Sequence, residues 1–480
     1  DAAVAGARIR DALYELMRAR CRVSPTVLLV DDLHWIDSAS EDLLEEFSKA
    51  SQDLPLLILS TQRPEYKSPW GDEAFASEIR LGSLSARGTA DLISARLGTT
   101  DLPQELTRLV TEKAEGNPLY AEEITAYLLS RGDLRRDGGV VTYQSSGETG
   151  LPVTLENLVL DRFDRLDDRP REFLEAASVV GRRFELDLMD RILGLGGGGA
   201  AQDIVDDLKG SELVFADERD GYYQFKHAVV RAAVYDSLLK PRQAELHERV
   251  ADAIVEARGE SIGEAADTVA DHYGHTPRAE KAVRYMALAG EQSLAVYSLE
   301  EAELRFRQVL ELIEKVPGCA DDAFHADVLL KLARILYYKA QFFELVRTIE
   351  PHLPMVEALG DPKRLSRFLF EVGYAHCFSA NQGLGTPLLE RALAIGEEAG
   401  DEESIGYACM GLMWLLAVWT EPSEESLRDM ERLSERAITA ARSIGDVWLE
   451  TKPLFALAYH LNALGRPGPA KRVSLKMLDL

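Results

Sequence analysis

Two adjacent acids, Asp31 and Asp32, follow the apolar run Val27-Leu28-Leu29-Val30 and precede Leu33-His34-Trp35-Ile36-Asp37. A second apolar run, Leu56 to Leu59, follows within one helix length and ends in Ser60-Thr61-Gln62-Arg63. Four apolar residues in a row predict a strand covered on both faces, hence a parallel sheet with helices on either side. Ligands of such sheets sit beyond the carboxyl ends of the strands, where Asp31 and Asp32 fall. A carboxylate pair there suits a divalent metal carrying a nucleotide's phosphates, with the second acid free to orient a water. The same two acids also read as a plain helix-entry turn. His34 and Trp35 are expected to pack under the strand end and carry no chemistry.

The phosphate side of such a site needs a Gly-rich turn, then Lys and Ser/Thr opening a helix. No Gly-Lys dipeptide occurs in the chain, and the run Gly194 to Gly199 holds no lysine, so that run reads as a flexible loop. The sequence opens at Asp1 without Met, already inside a helical pattern of Ile9, Leu13, Leu16 and Met17. The expectation is therefore a fragment cut after the phosphate-binding turn, inactive by itself.

With 480 residues the chain should hold several domains of roughly 100–200 residues each. Lys plus Arg number 54 against 81 acids, a net charge of −27 that disfavours nonspecific nucleic-acid binding by this portion. The four cysteines, Cys21, Cys319, Cys377 and Cys409, lie far apart without a CxxC pair, which suits neither a zinc site nor a disulfide framework. A reducing cytoplasm is the default. The richest apolar stretch, Cys409 to Trp419, falls short of the ~20 residues that span a bilayer and predicts a buried helix. His272, His275 and His325 show no metal-ligand spacing.

Residues 1–80 read as helix, strand, helix, strand, a βαβ unit. The middle helix starts at Ser38-Ala39-Ser40-Glu41, a capping-box spacing. Residues 81–150 turn helical from Ser85 to Arg131, with an interruption at Gly116-Asn117-Pro118 and a restart at Pro118, where proline is tolerated. Residues 132–150 read as a loop or short hairpin. In 151–258, helical patterns over 155–166, 171–180 and 204–211 precede two short strands, 213–216 and 222–225, joined around Asp220-Gly221. Helices before a terminal hairpin describe a winged helix. Residues 259–480 are helical and repetitive. Leu359-Gly360-Asp361, Ala399-Gly400-Asp401 and Ile444-Gly445-Asp446 each close a helix, roughly 40–45 residues apart, the length of a helical-hairpin repeat. Small and large apolar residues alternate before these stops (Leu388, Ala392, Leu393, Ile395), and such pairs stack into a solenoid.

Several of these segments together resemble one family. Val27–Asp37 is similar to the Walker B segment of signal-transduction ATPases with numerous domains (the STAND group of the AAA+ superclass). Glu115-Gly116-Asn117-Pro118-Leu119-Tyr120-Ala121-Glu122-Glu123 resembles their "GNPLFLEEL" motif. Phe225-Lys226-His227-Ala228-Val229-Val230, with Ala233 to Leu239, resembles a block found behind class III adenylate/guanylate cyclase domains and in large LuxR-type regulators. The resemblance covers residues 20–255; the repeats resemble the tetratricopeptide group in style. It implies a multidomain protein with a partial α/β P-loop NTPase sheet, a helical lid, a winged-helix domain and an α-solenoid.

The resemblance also implies an ATP-dependent switch with ATP and Mg²⁺ as cofactors. Asp31 would hold Mg²⁺ through its water shell, and Asp32 would polarise the attacking water. Arg63 would sense the γ-phosphate. Pro118 would pack on the adenine, with Gly116 and Asn117 allowing a tight backbone approach beneath it. His227 would contact the β-phosphate of ADP. Read without the family, Arg63 is a surface arginine before proline, Gly116-Asn117-Pro118 a helix stop and restart, and His227 a structural histidine. The winged helix is expected to serve regulation within the chain rather than DNA. The expected partners are ATP or ADP, a protein or small ligand on the repeats, and further copies in a nucleotide-dependent oligomer, with no nucleic acid and no membrane. The leading expectation is the ATPase and repeat region of a class III cyclase. A LuxR-type regulator and a repeat scaffold with a decayed ATPase are the alternatives.

Overall fold

The computed structural model describes residues 2–68, 70, 74–137, 140–144, 154–197, 199–208 and 211–478, without the side chains of 2–10, 38–39 and 136–137. The expected loop over 145–150, Gly198 of the glycine run and the Ile9 side chain lie outside that set. The chain divides into two units, Asp1–Arg162 and Phe163–Leu480.

In the first unit, α1 (Ala2–Val23), β1 (Thr26–Val30), α2 (Ser38–Ala50) and β2 (Leu56–Ser60) follow one another. The strands pair in parallel from Thr26↔Leu56 to Val30↔Ser60, joined by the helical crossover that parallel strands require. Tyr14 of α1 stacks on Phe47 of α2 with ring centroids 5.5 Å apart. The expectation of strands covered on both faces fails. Val27, Leu29, Leu57 and Leu59 are 51–63 % exposed, while Leu28 and Val30 are half-buried. Alternate strand residues point to opposite faces, and packing reaches only one of them. The helix start also differs from the expected box: the cap of α2 is Asp37, whose Oδ1 accepts the Ser40 N–H at 2.9 Å.

Three helices then pack together: α3 (Ala86–Leu97), α4 (Gln104–Ala114) and α5 (Pro118–Arg131), followed by the hairpin β3 (Leu134–Asp137) and β4 (Val140–Tyr143). Ile93, Leu97, Leu106, Val110, Ile124 and Leu128 form their core, closed by Val141 of the hairpin. Glu123 of α5 is fully buried, and it is paired with Arg162 of α6 (Leu155–Asp164).

The second unit begins with α7 (Asp168–Val180), β5 (Arg183–Glu185), α8 (Leu186–Leu193), α9 (Ala200–Leu208), β6 (Val214–Ala216) and β7 (Tyr222–Phe225). The expected hairpin forms across Asp220-Gly221, and β5 joins it, giving the antiparallel order β5-β7-β6. Three residues are too few for β5 or its face to show in the sequence pattern. Then come α10 (Ala228–Ser237), α11 (Lys240–Arg258), α12 (Ala266–Gly274), α13 (Ala279–Ala295), α14 (Leu299–Lys315), α15 (Asp322–Tyr338), α16 (Phe342–Ile349) and α17 (Leu353–Ala358). The unit ends with α18 (Pro362–Phe378), α19 (Gln382–Ala399), α20 (Glu402–Trp419), α21 (Glu424–Ile444), α22 (Val447–Ala463) and α23 (Pro467–Lys476).

From α12 onward this is a helical-repeat fold: helices pack on their sequence neighbours, and α15, α18, α20 and α22 also touch in succession. The Gly-Asp pairs explain the punctuation. Gly360, Gly400 and Gly445 sit at φ 64°, 64° and 72°, the left-handed turn that ends a helix. The following Asp361, Asp401 and Asp446 each accept a backbone N–H of the next helix's first turn. Pairs of small residues bring helices close. A Cβ on Gly385 of α19 would lie 2.5 Å from the Gly373 carbonyl oxygen of α18. Among the described residues no helix is long and apolar enough to cross a membrane, and α20 is a buried helix.

Candidate functional site

The two acids emerge where the parallel strands end, and their geometry is set by one residue of the neighbouring strand's exit. Thr61 donates its hydroxyl to Asp31 Oδ1 at 2.5 Å and accepts the Asp32 N–H at 2.8 Å. Backbone bonds from Thr61 N–H to the Val30 carbonyl (3.1 Å) and from Leu33 N–H to the Thr61 carbonyl (2.8 Å) extend the ladder past the strands. Asp32 adopts φ 54°, ψ 44°, a left-handed conformation that acids tolerate better than most residues. Thr61 holds one oxygen of the Asp31 carboxylate at the strand exit. Both acids are exposed, and His34 Nδ1 lies 4.0 Å from Asp32 Oδ1. The expected burial of Trp35 does not occur: it is 76 % exposed, with the His34 ring tilted against it at 5.4 Å.

Arg63 is exposed and follows Thr61 by two residues, which brings it to the same strand ends as the acids. Its carbonyl accepts the Tyr66 N–H at 3.1 Å. The Tyr66 hydroxyl in turn donates to Glu41 of α2, and burial pushes that phenol up to about 12. A hydrogen-bonded turn therefore ties the Arg63 loop to the start of α2.

Gly116, Asn117 and Pro118 lie at the joint between α4 and α5. Asn117 caps α5, accepting the Tyr120 N–H at 3.2 Å, with Pro118 at the first helical position. Gly116 is buried at φ 77°, and its carbonyl accepts the Leu84 N–H at 2.8 Å. An added Cβ there would stand 2.6 Å from the Leu84 carbonyl oxygen. The close backbone approach at this glycine is made by the chain's own residues 83–84. His227 belongs to the second unit, at the N-cap position of α10, where its side chain makes no cap bond and its carbonyl accepts the Val230 N–H at 3.0 Å. Asp31, Asp32 and Arg63 all follow strand ends of the same two-stranded sheet, while His227 stands in a different unit.

Two features escaped the sequence reading. Thr61 was visible only as a hydroxyl after an apolar run, and nothing in the spacing tied it to Asp31. The structure also gathers His247 of α11 with His272 and His275. The Nδ1 atoms of His247 and His272 are 2.9 Å apart, and the His275 ring stacks on His247 at 4.4 Å. Among the described residues no group of three or more His, Cys, Asp or Glu is arranged to hold a metal. For Mg²⁺ two carboxylates suffice, because the ion keeps several waters and takes phosphate oxygens. Asp31 and Asp32 offer that donor set.

Residues 85–133, which span α3 to α5, match a family described as a domain of unknown function (DUF8739). The chain is similar to an uncharacterized protein of Rhizobium meliloti (strain 1021), 28% identical over 331 residues, or 67% of this chain and 31% of that protein. It spans less than a third of that relative's length. Among solved structures it is similar to a STAND protein with a tetratricopeptide repeat sensor from Pyrococcus horikoshii (14% identity, 97% of this chain and 83% of that one, TM-score 0.36). It is also similar to aspartyl phosphate phosphatase F from Bacillus subtilis (11% identity, 84% and 96%, TM-score 0.35).

Proposed function

We propose that this chain forms part of an ATP-dependent regulatory switch, joined to a helical-repeat arm that receives a protein or small-ligand partner. One observation carries the reading: Asp31 and Asp32 follow β1 in succession, with the Asp31 carboxylate and the Asp32 N–H both bonded to Thr61 at the exit of the parallel neighbour. An oxygen-only pair at that edge suits Mg²⁺ with a nucleotide's phosphates, and the metal would supply charge neutralisation there. In this reading Asp31 holds Mg²⁺ through its water shell, and Asp32 orients the attacking water. Arg63 meets the γ-phosphate with its fork of donors. Gly116, Asn117 and Pro118 border the adenine, and the His227 contact with ADP rests on the resemblance alone. Helices α7 to α9 with the β5-β7-β6 sheet act as a winged-helix-like regulator. For the effector, the 225–249 block favours a class III cyclase over a LuxR-type regulator, by analogy only.

The test uses the gene product with all of its natural flanks, measuring Mg²⁺-dependent ATP binding by calorimetry and phosphate release. Asp32→Asn should keep binding and lose hydrolysis by about a hundredfold or more. Asp31→Ala should remove the Mg²⁺ dependence of binding. Hydrolysis by Asp32→Asn at the parent rate would show the role given to Asp32 to be wrong. Absence of ATP binding would leave a repeat scaffold with a decayed ATPase.

A further inference from the structure

His34 has no part in the nucleotide reading, yet it is the odd imidazole of this chain. Its side chain is only 11 % exposed, and both ring nitrogens are buried with no hydrogen-bond partner among the described residues. A neutral imidazole of either tautomer carries an N–H, and a buried donor is almost always satisfied. The other buried histidines obey that rule: His247 meets Tyr235 and His272, His376 meets Glu350, and His460 meets Ser426. Among the described residues, His34 alone has both nitrogens buried and unbonded.

The acceptor it lacks stands beside it. Asp32 occupies the N-cap position of the 3₁₀ turn Leu33–Trp35, where an Asp carboxylate ordinarily accepts a backbone N–H, but it makes no such bond. The backbone of the turn is pinned. Asp32 N–H goes to Thr61 Oγ1 at 2.8 Å, Leu33 N–H to the Thr61 carbonyl at 2.8 Å, and Trp35 N–H to the Asp32 carbonyl at 2.9 Å. The Asp32 side chain is 65 % exposed, with Oδ1 4.0 Å from His34 Nδ1. That is about 1 Å beyond a hydrogen bond, within reach of a turn about one side-chain bond.

We propose that His34 is the positioning residue of Asp32: its Nδ1–H closes on one carboxylate oxygen and leaves the other turned outward in a single orientation. The pairing stands on the geometry alone; its effect on hydrolysis rests on the role given to Asp32 above. An exposed carboxylate samples several rotamers, and only some of them turn a lone pair toward a water. A hydrogen bond from a ring that packing already holds, with the Trp35 ring against it at 5.4 Å, selects among them. His34 thus acts through Asp32.

Two measurements test this. NMR of the full chain, labelled with ¹⁵N at histidine and held at mildly alkaline pH where imidazoles are neutral, reads the tautomer. The His34 signals, assigned by their loss in His34→Asn, should show Nδ1 protonated. Asp32→Ala should remove that preference, whereas Asp32→Asn, which keeps an acceptor oxygen, should retain it. An Nε2-protonated ring in the parent, or the same tautomer in Asp32→Ala, overturns the proposal whether or not ATP is turned over. The second measurement is phosphate release by the gene product with its natural flanks. His34→Leu should lower kcat about ten- to a hundredfold with KM for ATP little changed. His34→Asn sets an amide N–H where Nδ1–H stood and should recover most of the loss, while His34→Gln, whose amide reaches the Nε2 position, should not. Equal rates for the Asn and Gln variants overturn the proposal. A parent that releases no phosphate removes the role given to Asp32, and the tautomer then decides the pairing by itself.

Discussion

Gly116→Ala should loosen the helical subdomain around α4 and α5 far more than the matching change at Gly132, and the structure supplies the size of the difference. Both glycines end a helix segment in the left-handed region, at φ 77° and 75°. Placing an L-residue there costs about 1–2 kcal/mol. At Gly132 that is the whole cost, since nothing lies within 4 Å of an added Cβ. At Gly116 the Cβ would stand 2.6 Å from Leu84 O and 2.8 Å from Ser83 Cβ, so residues 83–84 must move and their bond to the Gly116 carbonyl must stretch. Overpacking of this kind adds about 1–3 kcal/mol. The expected totals are roughly 2–5 kcal/mol for Gly116→Ala against 1–2 for Gly132→Ala, or roughly 30- to 4,000-fold against 5- to 30-fold. Hydrogen exchange by mass spectrometry, read on peptides covering 104–131, reports those factors as lost protection, up to the global limit. Equal losses for the two variants would refute the argument that residues 83–84 demand glycine at 116.

The buried Glu123–Arg162 pair predicts that Arg162→Met alone destabilises by about 3–5 kcal/mol, because it strips the guanidinium from a fully buried carboxylate; adding Glu123→Leu should recover most of that in urea denaturation. In the repeats, Gly385→Ala should lower the melting temperature by the roughly 1–3 kcal/mol of an overpacked contact, with a Cβ only 2.5 Å from Cys377 Sγ. Gly383→Ala, where nothing lies within 4 Å, should instead raise it slightly, because helical alanine is favoured over glycine. Burial, with added repulsion from neighbouring histidines, pushes His247 down to about 3 and His272 to about 4. The unfolded chain then binds more protons below its ordinary value of about 6.5, so stability present above that pH is lost on acidification, by roughly 2 kcal/mol from pH 6.5 to 5.5. The His247→Phe/His272→Leu double variant should flatten melting temperature against pH in that window, and an unchanged slope would remove the two imidazoles as its source.

What the sequence disclosed, and what it hid, follows from the range of the forces involved. Helix ends are local, so Gly-Asp at 360–361, 400–401 and 445–446 could be read as stops from neighbouring residues alone, as could the Asp220-Gly221 hairpin. The parallel pairing of β1 with β2 followed from two apolar runs one helix apart. Coverage of both faces did not, because a run of Val and Leu looks the same whether one side or two are packed. Asp37 was passed over as a cap because Ser38 and Glu41 offered an equally plausible local box. Thr61 and the three histidines depend on contacts 25 or more residues apart in sequence, as do Thr61–Asp31 and His247–His272. No periodicity encodes such pairings. Residue types announced the acids of the candidate site; the hydroxyl that holds them came only with the tertiary structure.

The Gly-Asp joints also bear on mechanics. Each hands the chain from one rod to the next across two residues, a left-handed glycine and a capping acid, and such a cap contributes only about 1 kcal/mol. The rods on either side of each joint also pack against one another, α17 on α18, α19 on α20 and α21 on α22, so the turn sets where the chain reverses and side-chain contacts hold the pair together. Loss of a single cap should therefore fray one helix end while the stack keeps its course.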